Sequence, residues 1–188
     1  MYNLLGKRVF DVLASSAALV CLSPLMLLIA AAIRLEDRGP TLFRQKRVGR
    51  GGHPFTLFKF RSMPACTADL PSDKAKTVRI TPIGRLIRRT NLDELPQLIN
   101  ILRGDMSVVG PRPALPSQNE LTESRISNGA IACRPGLTGL AQINSYDGMA
   151  AAQKALWDGR YAARITFAGD LRITLLTFRY LLKPPPVY

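Results

Sequence analysis

The sequence predicts an α+β fold, mostly α, with an N-terminal membrane helix hairpin, amphipathic surface helices and a short β-hairpin. Three observations predict it. Val12 to Ile33 is a run of 22 residues without a charge. Thr41 to Ser62 alternates apolar and polar residues around Gly51-Gly52. From Ile83 onward, apolar residues recur at spacings of three and four. The chain has 188 residues, 47% of them apolar, which is enough for one compact core and excludes a disordered chain. Cys21, Cys66 and Cys133 are odd in number and far apart, so they form no disulfide framework and fit a reducing compartment. With His53 as the one histidine and no C-x-x-C pair, a zinc site of the usual His/Cys kind is not expected.

As a straight helix the uncharged run would extend roughly 33 Å, enough to cross a bilayer core of about 30 Å. It is longer than the apolar region of a secretory signal. Ser23-Pro24 lies at its middle, where proline removes a helical hydrogen bond and a serine hydroxyl can satisfy a freed backbone group. Lys7 and Arg8 precede the run, and Arg34, Arg38, Arg44, Lys46 and Arg47 follow it. Positive charge on both flanks favours the cytoplasmic side for both ends. A re-entrant hairpin bent at Ser23-Pro24 satisfies both features; a straight span satisfies only the length.

Phe55, Leu57 and Phe58 mark the second arm of the β-hairpin, which would project Arg44, Lys46, Lys59 and Arg61. Residues 64–77 read as a loop. Ile83, Leu86 and Ile87, flanked by Arg85, Arg88 and Arg89, make a short basic amphipathic helix suited to a membrane surface. A second helix is expected over about Leu92 to Leu102. Proline is tolerated in a first turn, so Pro96 places the start between Asn91 and Asp93, and Arg103-Gly104 ends it. Residues 114–133 read as helical, and 134–139 as a turn-rich stretch. Helical pattern resumes from Ala150, breaks near Thr166 and closes with a helix over Asp170 to Leu182.

The formal net charge of +13 calls for an anionic partner: nucleic acid, an anionic membrane surface or a phosphate-rich substrate. Asp93-Glu94 stands at a helix start, where acidic residues ordinarily serve as caps. Here, though, Arg88 and Arg89 lie one turn before, and Lys59, Arg61 and Arg112 are plausible spatial neighbours. A carboxylate among guanidinium groups stays ionised and can bind Mg²⁺ or attack phosphorus. Adjacent helical residues point about 100° apart, so Asp93 and Glu94 are expected to differ in role. In Gly110-Pro111-Arg112-Pro113 the two prolines stiffen the segment and present one guanidinium at little ordering cost.

Four motifs carry a family resemblance: Lys59-Phe60-Arg61-Ser62-Met63, Asp93-Glu94-Leu95-Pro96-Gln97, Gly110-Pro111-Arg112-Pro113 and Arg134-Pro135-Gly136-Leu137-Thr138-Gly139. In this order, over about residues 5 to 183, the chain resembles the bacterial sugar transferases, the monotopic polyprenyl-phosphate phosphoglycosyl transferases, in their minimal form. The resemblance implies transfer of a sugar 1-phosphate from a UDP-sugar to polyprenyl phosphate, typically undecaprenyl phosphate, with release of UMP, Mg²⁺ as cofactor and a ping-pong route. It makes Asp93 the nucleophile and a metal contact, Glu94 its acidic partner, and Lys59, Arg88 and Arg112 binders of substrate phosphates. Gln142 lies in the motif after the Thr-Gly turn, and Ser23-Pro24 matches the break of a re-entrant helix.

The implied organisation is a re-entrant membrane anchor over residues 1–36 and one catalytic unit over 37–188. The implied location is the cytoplasmic face of the bacterial inner membrane, with anionic lipids as partners and no nucleic acid. Many members continue past the Gln with Val-Asn-Gly-Arg. This chain has Ile143-Asn144-Ser145-Tyr146-Asp147-Gly148 instead, so no sugar is assigned. Two other readings fit the residues: direct displacement with Asp93 and Glu94 only as Mg²⁺ ligands, and a non-catalytic basic membrane-binding module.

Overall fold

A computed structural model of the chain describes residues 2, 4–64, 80–145 and 149–181. Most of the expected loop at 64–77, Cys66, Tyr146-Asp147-Gly148 and the stretch beyond 181 lie outside the described residues.

The uncharged run forms one helix, α1 (Leu4–Asp37), with Pro24 inside it. At 1.5 Å per residue it would measure about 51 Å if straight. Where the sequence suggests a hairpin turning at Ser23-Pro24, helical structure runs on through the proline. Ser23 supplies the reason. Pro24 has no N–H for the carbonyl of Val20, and the Ser23 hydroxyl donates to that carbonyl at 2.9 Å. Asp11, Ser15, Ile29 and Ile33 are buried, and Ala18, Leu19, Met26 and Ala30 pack partly beside them. These positions recur every three or four residues, so they form a single stripe against the rest of the chain. Leu13, Val20, Leu27 and Leu28 stay exposed on α1. Burying Ile29 and Ile33 contributes about 2 kcal/mol each, which holds the C-terminal third of α1 in place.

Polar contacts fasten both ends of that helix. Near its start, Lys7 Nζ lies 2.6 Å from Asp170 Oδ2, and Arg8 donates to the carbonyls of Ile101 and Leu102 at 2.5 and 2.7 Å. At its end, Asp37 accepts from Arg61 and Glu36 accepts from the Ile83 amide at 3.1 Å. Arg61 therefore does not project from the β-hairpin as expected. Its guanidinium is buried because it pairs with Asp37.

The β-hairpin pairs β1 (Leu42–Val48) with β2 (Pro54–Phe60) antiparallel, in a register that sets Phe43 opposite Lys59 and Val48 opposite Pro54. Gly51 and Gly52 both take positive φ, which glycine adopts without strain, and they turn the chain between the strands. Arg44 and Lys46 face solvent as expected. A short helix follows, α2 (Pro82–Arg89), with Thr81 Oγ1 accepting from the Gly84 amide at 2.9 Å. Next comes α3 (Gln97–Arg103), ended by Gly104 at φ 89°. Asn100, fully buried on α3, accepts from the Phe58 amide at 3.0 Å and donates to the Thr56 carbonyl at 2.8 Å. One side-chain amide thus occupies a backbone donor and acceptor on β2 and fastens α3 to the strand that bears Lys59.

The remaining strands and α-helices are β3 (Ser107–Val109), α4 (Asn119–Ser127), β4 (Gly136–Thr138), α5 (Leu140–Ile143), α6 (Ala151–Ala163) and α7 (Phe167–Leu181). Two expectations change here. The helix expected over 114–133 is shorter, because Ala114 instead bridges to Val48 and Pro116 precedes the helix start. The turn-rich stretch 134–139 contains β4, which pairs parallel with β3. That pairing brings Gly110 and Gly136 so close that neither has room for a β-carbon. Val109, Tyr161 and Ile173 pack below it, and Arg125 and Asp158 form a buried ion pair at 2.7 Å between α4 and α6.

Candidate active site

Asp93 and Glu94 sit on a short 3₁₀ turn, Leu92–Glu94, between α2 and α3. The α-helix begins only at Gln97, later than expected, so the acidic pair precedes it and does not occupy its first turn. Asn91 makes no side-chain cap. It takes the left-handed conformation at φ 54°, which asparagine tolerates better than most residues, and so turns the chain from α2 into the acidic pair.

Lys59 reaches the pair from β2 and Arg112 from the segment after β3. Lys59 Nζ lies 2.7 Å from Glu94 Oε1 and 3.8 Å from Asp93 Oδ2. Arg112 Nη2 lies 2.9 Å from the same Glu94 oxygen. The Arg112 segment is held from both sides: Gly136 donates to the Pro111 carbonyl at 2.8 Å, and Arg47 donates to the Pro113 carbonyl at 3.2 Å. Arg88, on the last turn of α2, acts electrostatically on Asp93, and its Nε donates to Ser62 Oγ at 2.8 Å.

The structure thus brings Lys59, Asp93, Glu94 and Arg112 into direct contact, with Arg88 acting on Asp93 electrostatically. Among the described residues Gln142 makes no hydrogen bond with these side chains. Gln142 lies on α5, with Nε2 3.4 Å from the Leu137 carbonyl and Oε1 buried without a partner. Ser23 and Pro24 lie at the exposed middle of α1. Asn100 and the Ser62 hydroxyl, which hold β2, α2 and α3 together at the site, were not singled out from the sequence. The signal for Asn100 was present: a lone amide inside Leu98-Ile99-Asn100-Ile101 is costly to bury unless the backbone satisfies it.

The two carboxylates differ in charge behaviour. Burial pushes Asp93 up from the usual aspartate range, and Glu94 pushes the same way; Lys59, Arg88 and Arg112 pull it down without cancelling burial. Burial also acts upward on Glu94, but Arg112 and Lys59 outweigh it and hold Glu94 well below the usual carboxylate range. The expectation that a carboxylate among guanidinium groups is firmly ionised therefore fits Glu94, whereas burial dominates at Asp93. Among the described residues, Asp93 has one ion-pair partner, at 3.8 Å. Among the described residues its oxygens accept no hydrogen bond, although the side chain is buried.

A buried acidic pair held by Lys59 and Arg112, in a mostly helical α+β chain with a long apolar helix, defines a protein that carries its own candidate membrane element. Comparison with known proteins specifies the group. The chain matches the bacterial sugar transferase model over residues 2–184 and belongs to that family. It is 43% identical over 98% of its length to a UDP-glucose:undecaprenyl-phosphate glucose-1-phosphate transferase of Caulobacter vibrioides, 72% of which is covered. It is 41% identical over 94% of its length to the uncharacterized sugar transferase EpsL of Bacillus subtilis, 87% of which is covered. A similar glucose-1-phosphate transferase of Klebsiella pneumoniae is 44% identical over 78% of this chain, which spans only 32% of that longer protein.

Proposed function

We propose that the protein transfers a sugar 1-phosphate from a UDP-sugar to polyprenyl phosphate and releases UMP, in two steps through a covalent phosphosugar on Asp93. The carrying observation is the division of labour between the acidic residues. Glu94 is committed to Lys59 and Arg112, and Asp93 is buried, weakly paired and so the more basic nucleophile. In the first step an Asp93 oxygen attacks the phosphorus that bears the sugar. The bond from that phosphorus to the bridging oxygen breaks, and UMP leaves with the electron pair. In the second step the polyprenyl phosphate oxygen attacks the same phosphorus and expels the Asp93 carboxylate. Lys59, Arg88 and Arg112 offset the charge of the phosphates.

The donor set fits Mg²⁺. Magnesium is held by one or two carboxylates together with substrate phosphates, and Asp93 has oxygens not committed to hydrogen bonds. Among the described residues no group of three acidic, histidine or cysteine side chains gathers, so Asp93 would hold the ion with the diphosphate and water. Bound there, it would withdraw charge from the diphosphate.

The acceptor's lipid tail keeps it in the bilayer, and the nucleotide sugar is soluble, so the site belongs at the cytoplasmic face of the inner membrane, among anionic lipids. Insertion of α1 into one leaflet, with both ends on that face, is supported by its fastening at both ends to the same body. The names of the relatives make UDP-glucose the first donor to test.

The test incubates purified protein with Mg²⁺ and labelled UDP-glucose, without acceptor. One equivalent of UMP should appear with a protein-bound phosphosugar that undecaprenyl phosphate discharges, and Asp93→Asn should give neither. An active protein that never carries label would instead establish direct displacement.

A further inference from the structure

Ser62 follows β2 and is buried, with 7% of its surface exposed. Three contacts tie it to one face of α2. Its carbonyl accepts from the Thr81 amide at 3.2 Å, at the helix start. Its backbone fills the space where a β-carbon on Gly84 would stand, so α2 lies flush against it. Its hydroxyl accepts from Arg88 Nε at 2.8 Å, on the last turn. Residues 81, 84 and 88 share a helical face, so one residue sets the distance of α2 and the orientation of the arginine that ends it.

A guanidinium can grip a phosphate through Nε and one terminal nitrogen, or end-on through its two terminal nitrogens. With Nε engaged, the end-on edge remains. Arg88 acts electrostatically on Asp93 from this position. We propose that Ser62 is a positioning residue: by holding Arg88 Nε it fixes the guanidinium so that its two terminal nitrogens present end-on to the phosphate that reacts at Asp93. The inference rests on the function proposed above and adds a residue to it. Gly84 belongs to the same device, because a side chain there would lift α2 and draw Arg88 off the hydroxyl.

A double-mutant cycle on the full chain tests this, with UMP release read at saturating UDP-sugar. Removing a hydrogen bond to a charged group is expected to lower kcat about tenfold in Ser62→Ala. Ser62→Thr, which keeps the oxygen, should recover most of that loss. Lysine has no Nε–H fork to orient, so Ser62→Ala should cause no further loss in an Arg88→Lys background. If the alanine variant does not fold by circular dichroism, Ser62→Gly removes the same hydroxyl and carries the cycle. Equal losses in both backgrounds would overturn the role of Ser62 and leave the transferase reading intact. A parent protein that releases no UMP from any UDP-sugar overturns that reading, and the role of Ser62 with it.

Discussion

Asp93 and Glu94 are neighbours in the chain, yet burial and cations act on them with opposite net sign, and their neutral analogues should separate. The folded state holds a proton on Asp93 more tightly than the unfolded chain does, so stability falls as pH rises between the unfolded and folded values, and at neutral pH the ionised form is a burden. Asp93→Asn should therefore raise the melting temperature at pH 7 while abolishing turnover. Glu94 has a depressed value, so its stabilising effect is fully present above the ordinary carboxylate range and is lost progressively as pH falls from that range through the folded value. Glu94→Gln should lower stability at pH 7 by about 2 kcal/mol, discounted for the half-exposed Arg112, as read by thermal unfolding. The same electrostatics predict a pH profile. Lys59 is the foremost group lowering Asp93, so Lys59→Met should move the acid limb of the first-step rate to higher pH; a limb that stays in place would remove Asp93 as the titrating group.

The acidic turn, α2, α3 and β2 are separate pieces that side chains fasten together. Asn100→Ala would strip hydrogen bonds from the buried Phe58 amide and Thr56 carbonyl and should cost about 3 kcal/mol in denaturant unfolding. At this scale the sequence was most readable where local rules suffice. Alternation around Gly51-Gly52 located the β-hairpin, and Gly104 located the end of α3. It was less readable where distant residues decide. The parallel pairing of β3 with β4 joins residues some thirty positions apart, and nothing within Gly136-Leu137-Thr138 signals it. Arg61 looked like its exposed neighbours because its partner, Asp37, lies on another element. The cations around Asp93 were legible as motifs, but that Glu94 would take both nearest ones depends on packing. Gln142 came with a motif, and its side chain lies against Gly139 and the Leu137 carbonyl of the neighbouring motif.

Over the whole molecule, α1 is held near its start by Lys7 and Asp170 and at its end by Asp37 and Arg61. In cells, cysteines placed at positions 3 and 40 of an otherwise cysteine-free chain should both resist a membrane-impermeant thiol reagent applied from outside. Labelling at one of them alone would establish a span. The amide of Asn100 has a consequence beyond fastening α3. A two-stranded ribbon normally leaves a flank that a second molecule can extend, strand upon strand. Here Thr56 and Phe58 are already engaged on that flank, so self-association of this protein on a crowded bilayer cannot proceed by adding a strand there and has to use other surfaces.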